Sequence, residues 1–261
     1  MDFIKRIFGT GDGSSSDEAA AVRTRLTREE VEERLRSGGR SLAGANLCDA
    51  ELAGADLHGV DMTGADLCGA DFSGADLRGA TLRNASCVHS GSTSPAKFAG
   101  AKLAGADLLG VELTRADLSG ADLTGANLFE ATLHKADLRR AVLADANLDG
   151  ANLRHAQLDE ADLSRADLRT ADLGRVTARG ASFAGATLTR ANLVGAVLEG
   201  ADLSSTDFSE ADLGDAVLRG ANLRGAKLDR ADLDAAVLDG ADLEGVDLSV
   251  CRNHLAPPAV G

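Results

Sequence analysis

A five-residue period runs through this sequence and leaves few folds open to it. From Ala55 to Gly79 the units ADLHG, VDMTG, ADLCG, ADFSG and ADLRG follow one another without a gap. Centring each unit on its third residue gives ten units with centres from Leu42 to Cys87 and thirty-one from Phe98 to Leu248; 34 of these 41 centres are Leu, and 35 have Ala two positions earlier. Five matches neither the 3.6 period of a helix nor the alternation of a strand. Leucines at this spacing would wander around a helix surface, so a helix bundle is excluded. The period fits a chain that turns a corner after every unit and sends the centre and the small residue two before it toward a shared axis. Four corners close a coil of twenty.

The composition agrees with a narrow core. The 261 residues hold 7 Phe and no Trp or Tyr, so the 44% hydrophobic content comes chiefly from Ala and Leu. A net charge of -14 argues against a general binder of nucleic acid or anionic membrane. No apolar run approaches a membrane span, and the first thirty residues lack a secretory signal, so the expected location is cytoplasmic. Cys48, Cys68, Cys87 and Cys251 have no CxxC spacing and read as reduced thiols.

Units such as Ala116-Asp117-Leu118-Ser119-Gly120 resemble the pentapeptide-repeat family, and the match is sustained through all 41 units. The resemblance implies an all-β solenoid, a right-handed quadrilateral parallel β-helix with the centre and the preceding Ala inside and the other three positions outside. Coils stacked about 4.8 Å apart would give about ten coils and a rod of roughly 50 Å. Each coil buries only Leu and Ala and gains stability from its neighbours, so the ends need covers. At the N-terminal end Thr27-Arg28-Glu29-Glu30 is a capping box, with Leu26 and Val31 placed as a hydrophobic staple. It predicts a capping helix over 27–39, ended by Gly38 or Gly39, with Val31 and Leu35 over the first coil. The C-terminal end offers only Val250, Leu255 and Pro257-Pro258.

This divides the chain into a flexible tail (1–26), the capping helix (27–39), a first repeat block (40–87), a register break (88–97), a second block (98–250) and a C-terminal tail (251–261). Within the first tail, Phe3, Ile4, Ile7 and Phe8 could share a helix face, as a docking peptide or as a frayed terminus. The step from Cys87 to Phe98 is eleven residues rather than ten, a one-residue insertion that makes a bulged corner or a short binding loop. In Val176-Thr177-Ala178 the large and small inward residues exchange places, which keeps the core volume.

Residues for chemistry are sparse. His58, His89, His134, His155 and His254 are scattered without a nucleophile and an orienting group, so no catalytic triad can be assembled. Cys251 and His254 make at most half of a zinc site. Cys48 and Cys68, one coil apart at the outward position after the centre, are two thiols on one face, close enough for oxidation or a soft metal. The residue before the centre is Asp or Asn in 24 of 41 units, suited to hydrogen-bonding the backbone at the corners. No phosphate-binding loop is present. Neither catalysis nor a cofactor is expected.

Positions twenty apart line up along such a rod. Arg115, Lys135, His155 and Arg175 form a basic line flanked by His134 and Arg154, either a solvated face or a seat for an acidic segment. An acidic surface follows toward the C-terminus: Asp202, Asp207, Glu210, Asp212, Asp215, Asp232, Asp234, Asp242 and Glu244. Val197, Val217 and Val237 replace the polar residue on three successive coils, as ladder packing or as a homodimer stripe in the C-terminal coils; Leu109 and Phe129 are a similar outward pair.

Part of the family binds bacterial DNA gyrase as a rod resembling duplex DNA and interferes with topoisomerase drugs. The resemblance therefore implies a protein partner, with gyrase as one alternative to a general scaffold or regulator. Direct nucleic-acid binding and a membrane span are not expected. Charge density tests the analogy. Residues 193–250 hold 13 acids and 4 bases, net -9, where DNA of that length, about 14 Å, carries about 8 charges. Residues 116–192 hold 11 acids and 9 bases, net -2, against about 11 for DNA. The C-terminal end is DNA-like in charge and the middle is not.

Overall fold

The computed structural model describes residues 24–86 and 94–252. The Phe3–Phe8 segment, Cys87 and His89 in the break, and His254, Leu255 and Pro257-Pro258 lie outside the described residues. The described chain is a quadrilateral β-helix. Its only helices are α1 (Arg28–Arg36) and a 3-10 turn at Leu248–Val250. Four ladders of single bridged residues, all parallel, run along the rod: one through Ser41, Asp61 and Thr81 on to Lys227, and others beginning at Arg25, Glu51 and Asp56. Partners are twenty residues apart, as in Asp117↔Asp137, so each ladder collects the residue before the centre on every fourth unit.

Each corner is a four-residue turn. The centre's carbonyl accepts from the N–H three residues on, as in Ala121 N to Leu118 O at 3.0 Å, and the residue before that N–H has a positive φ. The next coil supplies a second tie, as in Leu118 N to Asp137 O at 2.7 Å. Asp or Asn before the centre closes the corner from outside: Asp117 Oδ1 accepts from Ser119 N at 3.0 Å, and Asp202 does the same for Ser204 N at 3.0 Å. These side chains do for each corner what a cap does for a helix. Asparagines also bond along the rod, as Asn127 Nδ2 to Asp107 Oδ1 at 3.1 Å and Asn222 Nδ2 to Asp202 Oδ1 at 3.0 Å, where two aspartates would repel.

Inside, one contiguous core runs from Leu26 to Leu233. Val176 and Ala178 are both fully buried, so the exchanged pair keeps its place inside. Thr206 stands where Ala is usual and is also fully buried; its hydroxyl donates to Phe183 O at 2.8 Å, so no polar atom is stranded.

The break is larger than the sequence reading had it. Asp66 pairs with Ser86, twenty residues on, but Asp71 pairs with Lys97, twenty-six on. One corner therefore carries six residues beyond the usual twenty per coil, not one. The unit count hid this, because five of the six extra residues make one unit's length and leave a remainder of one. The coil resumes by Ala96 and Lys97, inside the stretch assigned to the break. Phe72 and Phe98 stack across it with centroids 4.9 Å apart, so the core passes straight through.

At the N-terminal end Thr27 caps α1: Glu30 N donates to Thr27 Oγ1 at 3.3 Å and Thr27 N to Glu30 Oε2 at 2.8 Å. Leu26 and Val31 are buried in the same core cluster, with Leu35 packed against it. Gly38, at φ +89, turns the chain out of the helix while its N–H reaches Leu35 O and that of Gly39 reaches Arg34 O. Pairing begins earlier than the assigned tail boundary, since Arg25 bridges Asn46 and meets Asp49 at 3.0 Å. At the other end Leu238, Leu243 and Leu248 are only partly buried, and Arg252 adds a last rung on Asp232.

Two predictions follow from the corners. Gly220 has φ +61 and a Cβ there would meet nothing within 4 Å, so Gly220→Ala isolates the backbone strain and should cost about 1–2 kcal/mol by urea melt. Within its own corner Arg78 lowers Asp76 from 3.8 to about 2, chiefly through a side-chain hydrogen bond. Asp61 and Asp71 are also lowered, first by side-chain hydrogen bonds from Thr63 and Ser73. Carboxylates lowered in the folded state stabilise it above their unfolded pKa and lose that contribution as pH falls through the folded value. The thermal midpoint should be flat near neutrality and fall between pH 3.8 and about 2, less steeply in Asp76→Asn.

Candidate protein-interaction surfaces

Every corner needs a residue in the left-handed region, and the kind of residue placed there divides the rod. Between Arg115 and Arg190 the corner residues are mostly not glycine: Arg115, Glu130, Lys135, Arg140, Asp145, His155, Glu160, Arg165, Thr170, Arg175 and Arg190 all have φ between +54 and +63. In this conformation an L side chain costs about 1–2 kcal/mol relative to glycine. The middle of the rod therefore carries long polar side chains at its edges at the expense of backbone strain.

Three of the four edges pair those charges along the rod. Arg140 Nε meets Glu160 at 2.8 Å, Arg165 meets Asp145 at 2.7 Å, and Glu210 lies between Arg190 at 2.9 Å and Arg230 at 2.8 Å. The arginines hold Glu160, Asp145 and Glu210 below the usual carboxylate range, in each case first through the side-chain hydrogen bond. The fourth edge differs. Arg115, Lys135, His155 and Arg175 sit at φ +63, +59, +60 and +56 on successive coils. Backbone bonds such as Lys135 N to Arg154 O at 3.0 Å keep these coils in register. Among the described residues none of the four forms an ion pair with an acid.

His155 is pushed below the ordinary histidine value, first by loss of solvent and then by the positive charges of Arg154, His134, Lys135 and Arg175. His134 and His155 meet edge to face with centroids 5.7 Å apart. Arg154 lies 3.8 Å from Asp172. The edge continues through Gly195 to Asp215, whose φ is +57, so its sign reverses toward the C-terminus.

The acidic residues lie on several sides of the rod. Asp212 and Asp232 bridge each other on one ladder, Asp207 bridges Lys227 on a second, and Asp202 and Asp242 flank Asn222 on a third. Much of their capacity is taken up locally. Asp212, Asp232 and Asp242 accept from Gly214 N, Asp234 N and Glu244 N at 3.0 Å each. Arg224 is paired with both Asp242, at 3.1 Å, and Glu244. Backbone bonding from Glu244 and then Arg224 keep Asp242 below its usual range. Asp215 and Asp234 stand at adjacent corners, tied through Asp215 N to Asp234 O at 2.8 Å.

Val197, Val217 and Val237 form successive rungs of one ladder and are half-buried. Cys48 and Cys68, read from sequence as outward, are 6% and 0% exposed. Six extra residues enter at that corner, and Ser94 comes back over Gly69, accepting its N–H at 2.9 Å. The period alone could not reveal that burial. No helix among the described residues is long and apolar enough to cross a membrane.

No curated protein matches the sequence. Among solved structures the chain is similar to HetL, a pentapeptide repeat protein involved in heterocyst differentiation regulation from the cyanobacterium Nostoc, at 35% identity over 84% of this chain and 95% of that one (TM-score 0.43). It is similar to a trypsin-treated form of QnrB1, a plasmid-mediated fluoroquinolone resistance protein, at 20% identity over 70% of this chain and 86% of that one (TM-score 0.58), a likeness of fold. The description "Pentapeptide repeats" fits in 8 copies, over residues 39–67, 61–90, 96–128, 136–175, 181–220 and 216–251. With more than half of its length matched and its corners, ladders and core all built on the same five-residue unit, the chain belongs to the pentapeptide-repeat family.

Proposed function

We propose that this protein is a non-enzymatic rod that acts by contact, as a scaffold or regulator, and that its basic edge receives an acidic segment of a protein partner. The observation that carries the reading is the contrast among the edges. Three pair opposite charges along the rod, while the cations Arg115, Lys135 and Arg175, with His155 held below the histidine range among them, share one edge of strained backbone with no acid partner among the described residues. Stability alone disfavours that arrangement, because like charges directly opposite across a ladder repel. An acidic segment laid along the edge would neutralise several coils at once. A regulatory role agrees with the sequence similarity to HetL.

A second reading rests on the C-terminal end, whose net -9 over residues 193–250 matches duplex DNA in charge density. QnrB1 confers fluoroquinolone resistance, and on this reading the acidic end would engage DNA gyrase in place of DNA. Against it, all four bases of that stretch are paired with acids there: Arg219, Arg224, Lys227 and Arg230.

The two readings predict different losses. On the first, Lys135→Glu with Arg175→Glu abolishes partner capture while circular dichroism is unchanged, and capture weakens with salt. An acidic partner would raise the lowered pKa of His155, so binding takes up a proton and tightens as pH falls toward and below the ordinary histidine value; His155→Gln should flatten that slope. Capture indifferent to both substitutions rejects the basic edge. On the second, purified protein protects or inhibits gyrase in a supercoiling assay with a fluoroquinolone, and reversal of Asp202, Asp212, Asp232 and Asp242 removes the effect. An unaffected assay with gyrase from the same source rejects it.

A further inference from the structure

We propose that Cys48, Cys68 and Asp66 form a binding site for a single thiophilic divalent cation, zinc being the physiological candidate. The donors come from adjacent coils at one corner. Cys48 and Cys68 are successive residues of the position after the centre, and Asp49 N bonded to Cys68 O at 2.7 Å holds the two corners in register. Asp66 belongs to the second coil and closes its corner by accepting from Cys68 N at 3.2 Å. The two sulfurs and a carboxylate oxygen all lie within 4.8 Å of one another. In tetrahedral coordination two sulfurs about 2.3 Å from zinc are about 3.8 Å apart.

Burial makes the cluster more than two neighbouring thiols. The position after the centre faces solvent at Ala53, His58, Arg78 and Arg83, yet Cys48 and Cys68 are buried, and Asp66 beside them is half-buried. Ser94, returning from the enlarged corner, lies over Gly69 next to this cluster. Two thiolates and a carboxylate supply three negative charges in a partly desolvated pocket, where a dication compensates them. Sulfur selects zinc, cadmium or cobalt over magnesium and calcium. Three protein donors leave the fourth position to water or to an incoming ligand. A bound ion would tie two coils together beside the enlarged corner.

Titration of the reduced, metal-free full-length chain with cobalt(II) tests the site. The expected result is one ion per chain, with thiolate-to-cobalt charge transfer and the intense visible bands of four-coordinate geometry, displaced by one equivalent of zinc. Cys48→Ser and Cys68→Ser should each abolish the charge-transfer band with unchanged circular dichroism. Asp66→Asn keeps the acceptor that closes the corner and should weaken binding about tenfold or more, so it decides the matter if Cys68→Ser fails to fold. Absence of the band in the wild type overturns the proposal. A band that survives Cys48→Ser and Asp66→Asn at unchanged affinity, carried by Cys87 or Cys251, overturns it as well.

Discussion

The turn that recurs every five residues is the constraint on which the rest depends. A chain that must turn a corner so often can bury only two side chains per unit, and small ones, because four short walls enclose a narrow channel. Leu at the centre and Ala two before it meet that limit, and even Thr206 is admitted only by donating its hydroxyl to Phe183 O. The turn also requires a left-handed residue at every corner and leaves an N–H that the preceding Asp or Asn can satisfy. The acidity of the protein is thus first a structural property: carboxylates such as Asp117 and Asp202 close corners.

Corner and interior could be read from the sequence because both repeat with the unit. The capping box is equally local, four residues from Thr27 to Glu30, and the staple residues Leu26 and Val31 are adjacent to it. What could not be read depends on chain that departs from the repeat. An insertion of six residues leaves a remainder of one when counted in fives, so the break read as a slip in register. Cys48 and Cys68, which their register alone places outside, are buried beside that corner. Spacing fixes which side of the wall a residue occupies, whereas cover comes from whatever passes over it.

The surface lines were legible as positions and not as pairings. Twenty-residue spacing places Arg115, Lys135, His155 and Arg175 on one edge and Val197, Val217 and Val237 on one ladder. It does not reveal that Arg224 turns to Asp242 and Glu244, or that Glu210 is shared by Arg190 and Arg230. Net charge alone makes the C-terminal end resemble DNA, while pairing concentrates what is left on a few residues such as Asp215 and Asp234. Duplex DNA presents its charge evenly on two strands. An acidic rod with local pairing imitates the density of that charge more closely than its pattern.

Strain supplies a criterion that charge does not. A glycine would satisfy any corner, and the first block uses it at most of them, with Asp49 and Asn84 as its left-handed exceptions. Asp and Asn tolerate that conformation better than other side chains. The middle of the rod instead places Arg, Lys, His and Glu there, and on three edges the resulting ion pairs offset part of the cost. Exposed pairs of this kind contribute little because solvent screens them, so the strain of a corner is only partly offset. Among the described residues the basic edge has no such offset. Its residues are the ones whose presence the fold explains least, and an external acidic surface is the interaction that would balance them.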